Sequence, residues 1–225
     1  MGDSSLLRRP ALADDVYEAV KAMLMDHDVP PGERVSIDGV ARQLGVSPTP
    51  VREALARLEA EGLATKEALK GYRSAPLLTR EQFDDLQRFR LLLEPWAARR
   101  AAERIDETGA RALRAEMDTA AVPSGSDYDG YKNLTAHDRR LHTLVAAMSG
   151  STQVQRAFER THCHLHIFRL YFERTTGAET IAEHRRLVDA IVAGSGDEAE
   201  TAMHDHLDAA MRVRLGGRFE PAPTH

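Results

Sequence analysis

The chain is 225 residues long and carries a formal net charge of −5, from 30 Lys and Arg against 35 Asp and Glu. A composition of 42% hydrophobic and 29% charged residues fits one large or two smaller folded domains and excludes a disordered chain. One cysteine, Cys163, excludes an intramolecular disulfide and a cysteine-built zinc finger and fits a reducing, cytoplasmic setting; no apolar run nears the roughly 18 residues of a membrane span, and Met1–Pro10 has no signal-peptide core.

Most of the chain reads as helix. Val16, Val20 and Met23 pace a helix over about 13–27, stopped by Pro30, Pro31 and Gly32. Ile37, Val40, Ala41 and Leu44 fall at i, i+3, i+4 and i+7, the stripe of a short amphipathic helix, and Gly45 permits the tight turn after it. Ser47 is placed to cap the next helix with its hydroxyl. Pro48 and Pro50 fall in a first turn whose N–H groups have no helical partner, and Val51, Ala54, Leu55 and Leu58 form the buried stripe. Residues 63–67 and 72–75, around a turn with Lys70 and Gly71, suit a small hairpin. After Pro76 the helices lengthen. Thr79-x-x-Gln82 is a capping box opening a helix to about Arg104, with Pro95 expected to kink it or mark an irregularity, and with Phe83, Phe89 and Trp96 expected in its core face. Further helices are expected at about 107–121, 131–148, 152–174, 180–193 and 197–215, the last capped by Asp197-x-x-Glu200. Residues 122–130 read as a polar loop, and the tail from Gly216 as loose.

Two short helices around Gly45-Val46 and a following hairpin describe a winged helix-turn-helix, whose second helix enters the major groove by its N-terminal end. Thr49 and Arg52 lie at i and i+3, off the apolar stripe. Arg52 suits a guanine or a phosphate, and Ser47 offers a hydroxyl and an N–H to phosphate. Lys70, Gly71 and Arg73 fall at the wing tip. The pattern alone leaves a plain helical hairpin open. Charge does not decide, since residues 1–77 hold 10 basic and 12 acidic side chains, although 42–73 hold 6 and 4. The stretch Pro30–Ala64, PPGERVSIDGVARQLGVSPTPVREALARLEAEGLA, resembles the DNA-binding module of GntR-family transcription regulators. Their pattern runs PGE-x-L, then LA-x-x-LGVS-x-TPVREAL-x-RLE-x-EGL. That resemblance implies that Arg34, Ser47, Thr49, Arg52 and Gly71 contact or approach DNA. Many members carry Arg after the serine; Pro48 here removes one such contact.

The histidines are lopsided: of ten, only His27 precedes residue 137. On the helix expected at 131–148, Asp138 and His142 continue the stripe of Leu134, Leu141 and Val145. His184 is i+3 from Ile181, and His206 is i+3 from Met203. Each occupies a place where a hydrophobe is expected, and buried polar groups need partners. They are either separately satisfied side chains or four ligands of one divalent metal, for which one oxygen and three nitrogens suit Zn²⁺, Ni²⁺, Mn²⁺ or Co²⁺. His162 and His166, at i and i+4 on one expected helix, are a weaker candidate pair beside Cys163, and His137 and His204 point away from their neighbours' faces. The second half resembles the all-helical ligand-binding domain, called FCD, of the FadR-type subfamily. It shares R-x-x-x-E at Arg90 and Glu94, D-x-x-x-H at Asp138 and His142, EH at Glu183-His184, and a late histidine at His206. In metal-binding members the ligands are the Asp and three His of these motifs, so the resemblance implies Asp138, His142, His184 and His206 as ligands. The usual SGN after D-x-x-x-H is Ser149-Gly150-Ser151 here.

The combined expectation is a mainly α chain. Residues 1–77 form a winged helix-turn-helix with a β-hairpin wing, 78–216 an all-α antiparallel helical bundle that binds effector and metal, and 217–225 a flexible tail. Such a chain is a regulator, most simply a repressor, and not an enzyme. A homodimer would read a pseudo-palindromic double-stranded DNA operator. A small organic acid would be held by the metal and by Arg90 and Arg169. The alternatives are a hydrolase using the Asp/His site, for which no separate general base is evident, and a regulator whose metal is structural.

Overall fold

The computed structural model describes residues 8–125, 127–170 and 177–211. The expected tail and the C-terminal ends of the helices expected at 152–174 and 197–215 lie outside the described residues. The chain divides into two compact units, Met1–Leu77 and Leu78–His225.

The first unit contains α1 (Arg8–Met25), α2 (Ile37–Leu44), α3 (Pro48–Ala60), β1 (Ala64–Glu67) and β2 (Gly71–Ser74). Ser36 caps α2 through the Gly39 amide, and Gly45 ends it at φ 66°, a left-handed conformation that costs a glycine little. Val16, Val20 and Leu24 of α1 pack with Val51, Leu55 and Leu58 of α3, all nearly inaccessible to solvent. The strands pair antiparallel with Ala64 opposite Ser74 and Glu67 opposite Gly71. Residues 33–35 add a short third edge: the Ser74 amide donates to the Glu33 carbonyl at 2.9 Å, and the Val35 amide to the Tyr72 carbonyl at 2.9 Å. Hydrophobic pattern does not reveal this pairing, because the segment is only three residues long and follows the turn residues Pro30, Pro31 and Gly32.

The second unit is helical among the described residues: α4 (Arg80–Glu103), α5 (Glu107–Asp118), α6 (Tyr128–Met148), α7 (Thr152–Thr161), α8 (Cys163–Leu170), α9 (Gly177–Val192) and α10 (Gly196–Ala209). The expected capping box of Thr79 and Gln82 is present, and α4 runs unbroken through Pro95. Its small Ala97, Ala98, Ala101 and Ala102 allow close packing, chiefly on α10. The core is built by Ala98, Leu113, Leu141, Val145, Leu187, Ile191, Met203 and Leu207.

Several expectations are corrected. Helix α6 starts three residues early, because Asp127 caps it through the Gly130 amide and Tyr128 is buried. The single helix expected from 152 breaks at His162, whose left-handed φ of 43° separates α7 from α8. The Thr161 hydroxyl bridges that break, donating to the Phe158 carbonyl and accepting from the Cys163 amide. Ser195, not Asp197, is the N-cap of α10; Asp197 and Glu200 instead pair with Arg99, each at 2.7 Å. Phe83 is buried, but Phe89 and Trp96 are 38% and 43% exposed. Six residues of helix rotate Phe89 about 240° from Phe83, so the two cannot share a face.

Candidate metal centre and nucleic-acid interface

Helix α3 presents Thr49 and Arg52 to solvent, opposite its buried Val51, Ala54, Leu55 and Leu58. Ser47 stands at the N-cap, but its side chain makes no capping bond. Pro50 at N3 has no N–H, which removes one of the two usual donors for such a cap and leaves only the Thr49 amide at N2. The serine hydroxyl is left exposed at the helix start. Arg34 is exposed beside the wing, tied there by the backbone pairing of its segment with β2. Lys70 is exposed at the tip. Gly71 opens β2 at φ +92° with empty space where a Cβ would stand, so conformation rather than crowding requires glycine. Leu69, fully exposed at φ 63°, completes the tip and was not marked by any sequence signal. Two other basic side chains of the module are already engaged: Arg57 pairs with Asp14 at 2.9 Å and lies 3.9 Å over the Tyr17 ring, and Arg73 pairs with Glu67 at 2.9 Å.

In the second unit, α6, α9 and α10 bring Asp138, His142, His184 and His206 together, with one ligand atom of each within 4.8 Å of all the others. Four donors bonded to one zinc-sized ion stand roughly 3–4 Å apart, so small side-chain adjustments close the set. The Nε2 atoms of His142 and His184 are buried without a hydrogen-bond partner. They lie 3.7 and 3.5 Å from Asp138 Oδ1, long for a hydrogen bond but close enough for strong electrostatic coupling.

The outer nitrogens are all engaged. His142 Nδ1 lies 2.5 Å from Glu94 Oε2, and His206 Nδ1 lies 2.8 Å from Glu183 Oε2. His184 Nδ1 lies 3.0 Å from His137 Nε2, and His137 Nδ1 lies 2.9 Å from Glu116 Oε1. An ionised carboxylate only accepts, so Nδ1 carries the proton on His142, His206 and His137. His137 Nε2 then accepts from His184 Nδ1. In every case the inward Nε2 keeps its lone pair, the form a metal requires. His137 is completely buried and belongs to this arrangement, although its spacing alone suggests only that it points away from Asp138. Glu116 is held in turn by the Arg140 guanidinium at 2.8 Å and the Thr119 hydroxyl at 2.9 Å.

Electrostatics agree. Burial would raise the Asp138 carboxyl, but His184, His142 and Arg90 outweigh it and hold it well below the usual range. Burial likewise opposes ionisation of Glu94, yet Arg90 and His142 bring it down to about 2. Burial pushes His184 down to about 3 and lowers His206, keeping both imidazoles neutral. Arg90 donates to Glu94 from Nε at 2.5 Å and Nη2 at 3.3 Å, so it supports the carboxylate that orients His142. Arg169 is 1% exposed on α8, and burial lowers it to about 10. Phe158 stacks on His142 at 5.9 Å between ring centres.

The remaining histidines separate. His162 lies between helices rather than on the turn of one, so it does not share a helical face with His166. His204 is exposed. Burial pushes the Cys163 thiol up to about 11, so it packs as a neutral side chain. His166 is lowered to about 4, first by burial and then by Arg169 and His162. Unfolded, it titrates near 6.5. It therefore adds full stability above that pH, and the contribution is lost as pH falls from about 6.5 to about 4. Replacing His166 with Gln should flatten the curve of unfolding free energy against pH in that window by roughly 2 kcal/mol after allowance for its partial exposure. Urea titrations at pH 7 and pH 4.5 measure this, and parallel loss in both proteins would exclude the assignment.

No helix among the described residues is long and apolar enough to cross a membrane. Residues 12–73 match the family described as bacterial regulatory proteins, gntR family, and residues 85–209 match the FCD domain. The chain is 26% identical over 196 residues to the HTH-type transcriptional regulator YdhC of Bacillus subtilis, covering 85% of this chain and 86% of that one. It is 27% identical over 207 residues to a probable D-xylose utilization operon transcriptional repressor of Paenarthrobacter nicotinovorans, covering 92% and 90%. Escherichia coli McbR/YncC shares the fold with a TM-score of 0.66 at 20% identity, over 92% of this chain and 98% of that one. The family and the first two of these relatives are described as regulators, which sets aside the hydrolytic reading of the Asp/His cluster. The winged module, the helical unit and both family matches together make this chain a member of the gntR family of bacterial transcription regulators, with an FCD domain following its DNA-binding module.

Proposed function

We propose that residues 78–216 bind a divalent cation and a small organic acid, and that their occupancy sets the affinity of residues 1–77 for an operator. Asp138 Oδ1 and the Nε2 atoms of His142, His184 and His206 would hold the ion. The observation that carries this reading is the pair of buried Nε2 atoms on His142 and His184 with no partner, while every outer Nδ1 is engaged. One oxygen and three nitrogens suit Zn²⁺, Ni²⁺, Mn²⁺ or Co²⁺. One carboxylate against a divalent ion leaves a net positive site, which supplies a Lewis-acidic seat for an effector carboxylate. Arg169 adds a second buried positive charge to the same bundle, while Arg90 shares its charge with Glu94 and contributes to the anion's field more than to a new ion pair. Effector binding alters DNA affinity only insofar as it differs in free energy between DNA-competent and DNA-released forms.

In the first unit, Arg34, Ser47, Thr49, Arg52, Lys70 and Gly71 would meet double-stranded DNA. A two-fold pseudo-palindrome calls for a homodimer. Phe89, Leu92 and Trp96 support one: they recur at i, i+3 and i+7 on α4 and remain exposed at 38%, 76% and 43%. Leu92→Glu, which puts a charge in the middle of that stripe, should convert dimer to monomer in sedimentation equilibrium. An unchanged dimer would place the interface elsewhere. The name of the Paenarthrobacter relative supports repression as the sign of regulation; on this reading the acid releases the repressor from its operator in the cytoplasm.

Elemental analysis of the purified chain, then DNA binding with and without small acids, tests the whole proposal. A protein that prefers its own upstream DNA no more than random DNA at physiological salt would refute it. A His184→Ala variant that loses metal yet keeps acid-dependent release would refute the coordination step.

A further inference from the structure

Gln87 is completely buried on α4, on the face that also carries Phe83, Arg90 and Glu94. Neither its Oε1 nor its Nε2 has a hydrogen-bond partner. The other polar groups of that face are satisfied, since Arg90 and Glu94 bond each other and Glu94 bonds His142. A buried amide that makes neither of its bonds destabilises the free protein, and leucine would fill the same space without that penalty. Gln87 precedes Glu94 by two helical turns, about 10 Å along the axis. It therefore lies on the same inward stripe as the support of the Asp138/His cluster, but remote from it.

We propose that Gln87 recognises the far end of the effector, an inference that rests on the reading of that cluster as the seat of the effector's carboxylate. A primary amide offers both an acceptor and donors. The group that satisfies both atoms is one that donates and accepts at once, namely a hydroxyl or a carboxamide. A second carboxylate would leave Oε1 facing another acceptor, and a hydrocarbon tail would leave both bonds unmade. The effector is thus an acid bearing a hydroxyl or carboxamide several bonds from its carboxylate, rather than a plain fatty acid or dicarboxylate. A site built to bond such a group discriminates strongly against analogues that lack it.

The test uses the Zn²⁺-loaded full chain and two matched pairs of acids in thermal-shift titrations: gluconate against hexanoate, and glutaramate against glutarate. In at least one pair the hydroxyl- or amide-bearing acid should act at about tenfold lower concentration or less, and Gln87→Leu should abolish that preference. The ligand-free Gln87→Leu protein should also melt higher than wild type, because an unsatisfied amide has left the core. Equal responses within both pairs, a preference that survives in Gln87→Leu, or a lower melting point in both Gln87→Leu and Gln87→Met would overturn the proposal. Zn²⁺ uptake is measured separately. Its absence would overturn the metal reading and this inference with it, whereas uptake without any hydroxyl or amide preference would overturn this inference alone.

Discussion

Replacing His184 with alanine should lower divalent-metal affinity by roughly a hundredfold or more, since it removes one of four donors from a buried set whose outer atoms are already fixed. Metal content after dialysis and competition against a chromogenic chelator measure the loss. His184 is completely buried, its Nε2 is unsatisfied, and its neutral form is held by burial down to about pH 3. Removing His137 should act in the same direction through the outer nitrogen. Without the acceptor at 3.0 Å, His184 loses the bond that fixes its tautomer, which should cost about 10- to 100-fold in affinity. Glu116→Gln should weaken the same chain by less, because the amide still accepts from His137. A His184→Ala protein that is well folded by far-UV circular dichroism and retains wild-type affinity would show that the cluster holds no ion.

Arg52→Ala should weaken operator binding by about 1–3 kcal/mol, roughly 5- to 150-fold, in fluorescence anisotropy at fixed salt. The contrast with Arg57 makes the test specific. Both are exposed arginines on α3, but Arg57 is clamped to Asp14 at 2.9 Å and stacked on Tyr17, whereas no ion pair holds Arg52 among the described residues. Arg57→Ala should therefore show mainly as lost stability of the α1–α3 packing. The salt dependence then sorts the contact. A phosphate contact reduces the slope of log K against log salt by about one, while a base contact relaxes sequence preference with the slope retained. A larger loss of DNA affinity in Arg57→Ala than in Arg52→Ala would mean that another face of α3 meets DNA.

The net charge of −5 is an average over a chain whose positive surface depends on a few side chains. Arg57 and Arg73 are paired with Asp14 and Glu67, while Arg34, Arg42, Arg52, Lys66 and Lys70 stay exposed, Arg52 near the start of α3 and Lys66 and Lys70 on the wing. No count over residues 1–77 reveals this, because ion pairing within the module decides which charges remain available to a phosphate.

Local chemistry sufficed where the chain's own neighbours set the structure. Period and capping fixed α2, α3 and α4, through Gly45, the Pro48 and Pro50 positions, and the Thr79/Gln82 box. The same register puts Asp138, His142, His184 and His206 on the apolar faces of their helices whatever those faces pack against, since a helix face is a property of spacing alone. Which inward faces meet, and what stands behind them, depended on contacts between helices far apart in sequence. His137 joins His184 across 47 residues and Glu94 joins His142 across 48. The break at His162 and the solvent exposure of Phe89 and Trp96 are likewise tertiary outcomes: a left-handed residue and an unpartnered helix face leave no trace in hydrophobic pattern. Sequence by itself determined the fold class, the DNA-binding module and the inward set of candidate ligands. Tertiary structure alone decided the outer hydrogen bonds that fix each imidazole's tautomer, and it left Gln87 buried without partners, because burial and hydrogen-bond satisfaction arise only when separate helices pack.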